Sequence, residues 1–409
     1  MARLKQLRTL LFYFLIPGIS AVTPLLVYPA LTIRFGENGF ASVAIAQSIG
    51  YAGSVIAELG WGVLGPQRIA RADKAGRASL YGSALATKGT ASLIVAPLAA
   101  IATALIVTDH QLAAGILAFA TVTMALSPSW YLVGANRPLT ILWTEGIPRT
   151  VMLVGAAVGI ALGAPLELYG IATLVAVVVT LCLVSRATGE RVIPHRASFG
   201  TGRAVLREQL PLTFGRMVSV IYTSLPIAIV GVVNPGAVAL YGAVERLMRM
   251  ALSILSGVPS RLQSWIGVAT GAERLRRSRL SILMNVALGL VCSVGFALVA
   301  PFVASIVFAG RIPIPFSISA LSACVLLTIC ASRGFGLSLV AEGRSNWIAA
   351  ANIVAALVGV GAIFSLSSLL GAPGAILGEL ASEVAGLLVQ AIILYFGHRW
   401  IRGRDTLDD

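Results

Sequence analysis

The chain has 409 residues, 57% of them hydrophobic and only 11% charged, with a net charge of +14 and a mean hydropathy of +0.91. So few charges on so long a chain exclude a soluble globular protein and define a polytopic membrane protein. The positive balance does not point to nucleic acid: there is no basic domain and no aromatic–basic interleaving, and the basic residues sit in short loops between apolar runs.

Arg3, Lys5 and Arg8 precede an apolar run that continues through Pro17 to Ile33. Without a credible cleavage site it reads as an uncleaved first span. A span needs about 20 apolar residues, and at roughly 32 residues per span plus loop the length accommodates about twelve. The expected first-half spans are Leu10–Ile33, Phe40–Leu64, Leu80–Val107, Leu112–Val133, Leu139–Ala161 and Leu166–Leu183. The second-half spans are Leu210–Val233, Ala237–Val258, Leu280–Val307, Phe316–Val340, Trp347–Leu369 and Ala375–Phe396. Prolines 17, 24, 29, 97, 148, 226 and 301 fall inside these runs and are expected to kink them.

Basic loops alternate with loops that carry few charges, Arg34, Glu37, Asp109, Glu167 and Arg311 among them. One side carries the N-terminal cluster, Arg68/Arg71/Lys74/Arg77, Arg137, the Arg186–Arg207 stretch, Arg274–Arg279, Arg344 and Arg399–Arg404. That side is cytoplasmic, with both termini, in a cell (plasma or inner) membrane. The reading is of a six-helix lobe over 1–185, a basic linker over 186–208, a second six-helix lobe over 209–399 and a tail over 400–409.

The chain also reads twice. Pro29 and the expected turn at Gly39 match Pro226 and Gly236 at an offset of about 197 residues. Ala96-Pro97 and Ala300-Pro301 match at about 204, and Leu132-Val133 with Arg137 matches Leu339-Val340 with Arg344 at about 207. Gly163-Ala164-Pro165 and Gly170 match Gly371-Ala372-Pro373 and Gly378 at about 208. Six spans per half is an even number, so the halves are parallel repeats, an arrangement that places a substrate path between them.

Charges within spans are costly, about 2.5–3.5 kcal/mol for a central Arg or Lys. Lys88, Arg149, Arg216, Arg246, Arg249 and Arg333 are such residues, as are Glu58, Glu145, Glu245, Glu379 and Glu383. Gln47, Tyr51, Ser54 and Glu58 follow i, i+4, i+7, i+11, one polar stripe. Arg216, Ser219 and Thr223 form a second stripe. Gly242, Glu245, Arg249 and Ser256 share a face, with Arg246 beside it. Spans one, two, seven and eight are therefore expected to line a hydrated path. The alternative is structural ion pairing, for which Glu145/Arg149 and Glu245/Arg249 have i, i+4 spacing. Arg216, Arg246 and Arg249, with Lys88 and Arg149, are the candidate anion ligands, because guanidinium forks suit phosphate oxygens. Cys182, Cys292, Cys324 and Cys330 read as small buried hydrophobes. No metal motif, nucleophile–base cluster or phosphate-binding Gly loop stands out, so neither cofactor, metal nor enzyme is expected.

The pattern resembles the Wzx-type oligosaccharide-lipid flippases, in the superfamily that also holds MATE exporters. The resemblance is carried by Pro29 with Arg34-Phe35-Gly36-Glu37-Asn38-Gly39-Phe40, Trp130-Tyr131-Leu132-Val133-Gly134, Leu210-Pro211-Leu212-Thr213, and Val238-Ala239-Leu240-Tyr241-Gly242-Ala243-Val244-Glu245-Arg246-Leu247. It implies two six-helix lobes in a V around a central cavity. It also implies a polyprenyl-pyrophosphate-linked oligosaccharide moved to the outer leaflet for surface polysaccharide such as lipopolysaccharide O-antigen. Membrane lipids, and a glycan polymerase or other assembly proteins, would be its partners. The competing readings are a MATE-type drug exporter and a major-facilitator exporter, the latter from Asp73-Lys74-Ala75-Gly76-Arg77 in the loop after the second span.

Overall fold

The computed structural model describes residues 23–195, 198–200, 202–207, 220, 223–255, 262–263, 265–344 and 346–405. Among them the regular structure is entirely helical, and nine helices are long and apolar enough to cross a membrane. The chain forms two compact units, residues 1–235 with 306–311, and residues 236–305 with 312–409. Most of the expected first span and much of the seventh lie outside the described residues.

In the first unit, a 3-10 turn at Thr23–Leu26 leads into α1 (Tyr28–Glu58), then α2 (Trp61–Arg71), α3 (Lys74–Ile106) and α4 (Gln111–Thr123). A short α5 (Ser129–Gly134), α6 (Ile147–Ala161), α7 (Glu167–Thr188) and α8 (Pro226–Val233) complete it. α8 belongs here because Gly231 meets Ile45 of α1 and the Ser48 hydroxyl donates to the Ser224 carbonyl.

Several boundaries differ from expectation for local reasons. The first turn is not at Gly39. The chain breaks at Gly36, whose φ of 64° and ψ of −159° interrupt α1, a conformation open to glycine. Gly39 is instead buried in the helix beyond, where a Cβ would collide with Phe35. The second span is interrupted at Leu59 and Gly60, both left-handed. The fourth is interrupted by a 3-10 turn at Met124–Leu126 before Pro128. Pro29 and Pro226 open helices rather than kink their interiors, as a first-turn proline lacks only an N–H that has no helical partner, whereas Pro148 follows directly on a π turn at Leu142–Gly146. The Asp73–Arg77 run is a helix cap: Asp73 Oδ1 accepts from the Gly76 N–H at 2.9 Å, and Arg77 Nε donates to the Ile69 and Ala72 carbonyls at 3.1 Å.

The second unit comprises α9 (Val238–Leu255), α10 (Gly271–Val307), α11 (Phe316–Ala341), α12 (Asn346–Leu370) and α13 (Ala372–Asp405). α12 and α13 are joined by Gly371 alone, at φ 66°. The hairpin is tight enough that a Cβ on Gly374 would collide with the Leu366 carbonyl oxygen. Small residues permit such contact, and packing of this kind, not hydrophobic exclusion, holds helices together in lipid.

The internal repeat reappears as matched hydrogen bonds. In unit 1 the Arg137 N–H donates to the Leu132 carbonyl at 2.9 Å and its guanidinium reaches the Ala187 carbonyl of α7 at 3.2 Å. In unit 2 the Arg344 N–H donates to the Leu339 carbonyl at 2.8 Å and its guanidinium reaches the Ile393 carbonyl of α13 at 3.1 Å. Each arginine ties the end of its half's fourth span to the sixth.

Two of the four cysteines depart from the buried reading. Cys330 is buried and Cys292 half-buried, but Cys182 and Cys324 are exposed. On a helix face turned to lipid, a thiol meets the same apolar medium as in a core.

Candidate functional site

Unit 1 holds a polar core built on α1. Tyr28 Oη donates to Gln47 Oε1 at 2.9 Å, and Gln47 Nε2 donates to Tyr169 Oη at 2.7 Å. Gln47 is thus buried and engaged through both ends of its amide, while Tyr51, Ser54 and Glu58 continue the stripe half-buried. The Ser54 hydroxyl donates to the Tyr51 carbonyl at 2.9 Å.

Lys88 of α3 is enclosed, with 1% of its surface exposed. Its Nζ lies 3.4 Å from the Ser127 carbonyl and 5.5 Å from the centre of the Trp130 ring. A desolvated ammonium against an indole face gains about 2 kcal/mol or more. Trp130 in turn packs on Trp61, ring centres 5.3 Å apart. The Ser127 hydroxyl donates to Glu145 Oε2 at 2.7 Å, and Arg149 reaches Met124 Sδ at 3.6 Å. Glu145 and Arg149 take these separate partners because a π turn over Leu142–Gly146 precedes α6 and alters the i, i+4 register their spacing suggested. Both line a small cavity of about 20 Å³ with Met124, Ser127, Thr173 and Thr180. It brings a guanidinium, a carboxylate and three hydroxyls to one small space with room for a water molecule.

Unit 2 holds a denser cluster. On α9, Tyr241, Glu245 and Arg249 recur at i, i+4, i+8 and face α13. Arg249 Nε binds Glu245 Oε1 at 2.7 Å, and its outer nitrogen lies 3.7 Å from Glu379 Oε1. Tyr241 Oη donates to Glu379 Oε2 at 3.0 Å. Glu383 lies in the field of Arg249 and Arg333, and Arg333 donates to the Leu252 carbonyl at 3.4 Å. Glu245 and Glu379 are buried, whereas a third of the Arg249 side chain remains exposed. Arg246 is half-buried on the next α9 position. The i, i+4 pair of the eighth span is therefore formed. Glu379 and Glu383 of α13 join it, so Arg249 meets carboxylates from two helices.

Of the remaining candidates, Thr223 is half-buried next to Ser224. Arg216, Ser219 and Ser256 lie outside the described residues. Tyr28, Tyr169, Ser127, Trp130 and Tyr241 were missed in the sequence. Tyr241 had a local signal, standing four residues before Glu245; the others join through contacts between distant parts of the chain.

These features define a helical, multi-pass membrane protein, and its fold is shared with solved transporters of the MOP superfamily. Its structure is similar to an inward-facing multidrug resistance MATE family transporter of that superfamily, with TM-score 0.63 and 16% identity over 97% of this chain and 99% of that one. It is similar to the lipid II flippase MurJ in an inward closed conformation, with TM-score 0.67 and 11% identity over 95% and 87%. It is also similar to the MATE multidrug transporter DinF-BH, with TM-score 0.61 and 19% identity over 96% and 95%. The chain belongs to the polysaccharide biosynthesis protein family, whose model matches residues 7–261. Comparison with curated proteins finds no match.

Proposed function

We propose that this protein is a flippase that carries a polyprenyl-pyrophosphate-linked oligosaccharide from the cytoplasmic to the outer leaflet for surface polysaccharide assembly. The observation that carries the reading is the polysaccharide biosynthesis family match on a chain with a transporter fold. A lipid-linked sugar assembled on one leaflet and used on the other requires such a carrier. Its setting is the plasma or inner membrane with both termini cytoplasmic, and a glycan polymerase or other assembly protein acts on its product. No cofactor is needed.

In this reading the two halves give alternating access to a central cavity. Arg216, Arg246 and Arg249 receive the pyrophosphate, and Tyr51, Ser54 and Glu58 of α1 with Ser219 and Thr223 face the sugars, while Gln47 braces α1 through Tyr28 and Tyr169. Arg249 binds cargo by exchange, its open edge taking phosphate oxygens as it leaves Glu379. Arg149 offers a second guanidinium in the unit 1 cavity. Lys88, enclosed beneath Trp130, acts by holding the Ser127 turn rather than by touching cargo. The inside-negative potential favours outward movement of an anion by about 2.3 kcal/mol per charge per 100 mV.

Cells lacking the protein test this directly. The expected result is loss of surface glycan with its lipid-linked precursor trapped on the cytoplasmic leaflet. Normal glycan and a normal leaflet distribution refute it. The second reading is a MATE-type exporter, favoured by the fold likeness and by the buried carboxylates Glu245, Glu379 and Glu383, which suit a cationic drug. Drug sensitivity without a glycan defect selects it.

A further inference from the structure

Unit 1 is discontinuous in sequence. It takes in Ile306–Arg311, although the chain on both sides of that turn, up to Ser305 and from Ile312, belongs to unit 2. Phe308 anchors the turn. Its side chain is fully enclosed, at 0% exposure. The ring stacks on Tyr28 with centres 6.0 Å apart and meets Phe40 edge to face at 5.0 Å. Tyr28 and Phe40 meet each other edge to face at 5.2 Å. The three rings close on one another in the arrangements that aromatic pairs favour.

Three features mark this seat as a switch and not a fixed joint. First, Phe308 bridges the break in α1: Tyr28 lies before Gly36, the non-helical residue of that helix, and Phe40 lies after it. A filled seat therefore holds the bend. Second, the turn is strained while seated. Ala309 has φ 50° and Gly310 φ 70°, and the left-handed region is unfavourable for an alanine. Third, the polar groups at the seat have local partners. The Thr32 hydroxyl lies 3.0 Å from the Phe308 carbonyl oxygen and 2.9 Å from the Tyr28 carbonyl oxygen of its own helix. The Phe308 carbonyl also accepts from the Arg311 N–H at 2.9 Å, within the turn. Each keeps a hydrogen bond when the turn leaves, so the seat is held by its apolar contacts and escapes the cost of an orphaned buried group. Since both ends of the turn run into unit 2, movement between the units is transmitted to Phe308.

We infer that Phe308 is a latch on the transport cycle. Seated between Tyr28 and Phe40, it holds α1 bent at Gly36; unseated, it frees the bend for the alternate state. The latch lies one hydrogen bond from the polar core of unit 1, because Tyr28 Oη donates to Gln47. The inference rests on alternating access as proposed above and is independent of which cargo is carried.

The test uses the full-length protein with Cys182→Ser, Cys292→Ala, Cys324→Ser and Cys330→Ala. In nanodiscs, Thr32→Cys places a reporter thiol at a position that is 0% exposed while the turn is seated. N-ethylmaleimide is expected to alkylate this thiol in the folded protein, and several-fold faster once Phe308→Ala removes the anchor. A second protein carries Phe40→Cys with Phe308→Cys, joined by a short bis-methanethiosulfonate. In proteoliposomes, its flipping of a fluorescent polyprenyl-pyrophosphate oligosaccharide is expected to stop when the bridge forms and to return when dithiothreitol cuts it. A reporter thiol that stays protected while flipping proceeds overturns the latch. So does flipping at the unbridged rate in the bridged protein, since the turn is then a fixed part of unit 1. Alkylation needs no cargo, so the two ideas separate: a thiol that reacts in a protein that flips nothing keeps the latch and refutes the flippase, whereas a protected thiol in a working flippase does the reverse.

Discussion

Arg249 is held by two buried carboxylates, which allows its structural and transport roles to be separated. Arg249→Leu leaves Glu245 and Glu379, 6% and 5% exposed, without their counter-charge. Removing one partner of a buried ion pair costs about 3–5 kcal/mol. Since a third of the arginine side chain is exposed, the lower end applies, about 3 kcal/mol. For a unit of this size that lowers the melting temperature by roughly 6–12 °C. Adding Glu245→Gln and Glu379→Gln removes the stranded charges, and the triple variant is expected to melt near the native temperature. Its amides can still hydrogen-bond, with Tyr241 donating to the residue at 379. Transport is expected to remain lost, because the guanidinium that receives pyrophosphate is gone. The assays are thermal unfolding in detergent by intrinsic tryptophan fluorescence and flipping in proteoliposomes. A native melting temperature for Arg249→Leu refutes the electrostatic argument. Native flipping by the triple variant refutes the assignment of Arg249 to cargo.

Gly378→Ala places a Cβ 2.6 Å from the Ile363 backbone nitrogen; it is expected to force α12 and α13 apart and cost about 1–3 kcal/mol, whereas Gly155→Ala, with nothing within 4 Å, leaves melting unchanged. Arg137→Ala and Arg344→Ala each remove a charged hydrogen bond to a helix carbonyl; each is expected to cost about 1.5–3 kcal/mol, and a clear inequality in melting would show that the repeat is not mechanically symmetric. Lys88→Met replaces an enclosed cation with an apolar chain of similar length; flipping above half the native rate is expected, and its loss would show that Lys88 reaches the cargo.

The sequence made the repeat legible because both copies keep the same arginine at the same place. Arg137 and Arg344 then prove to make the same two bonds. The Glu245–Arg249 pair was legible because a regular helix fixes i, i+4 neighbours. The same rule misdirected Glu145 and Arg149, since the π turn that separates their partners has no signature in spacing alone. Gln47 was visible as part of a polar face, but Tyr169 is 122 residues away, and no periodicity joins residues that distant. Glu379 stood out as a costly charge, yet that it would balance Arg249 depended on which helix α13 packs against. The turn assigned to Gly39 sits at Gly36 because the repeat located the match and not the backbone angle.

The central claim is that this protein moves a lipid-linked oligosaccharide between leaflets. It is tested most directly by reconstituting the purified protein in proteoliposomes with a fluorescent polyprenyl-pyrophosphate oligosaccharide. A membrane-impermeant quencher then reports the fraction of label on each leaflet over time. The account predicts that label on the protected leaflet becomes quenchable only when the protein is present, and not with the Arg216, Arg246 and Arg249 charges removed together. Protein-independent quenching kinetics, or unchanged flipping in that triple variant, would contradict it.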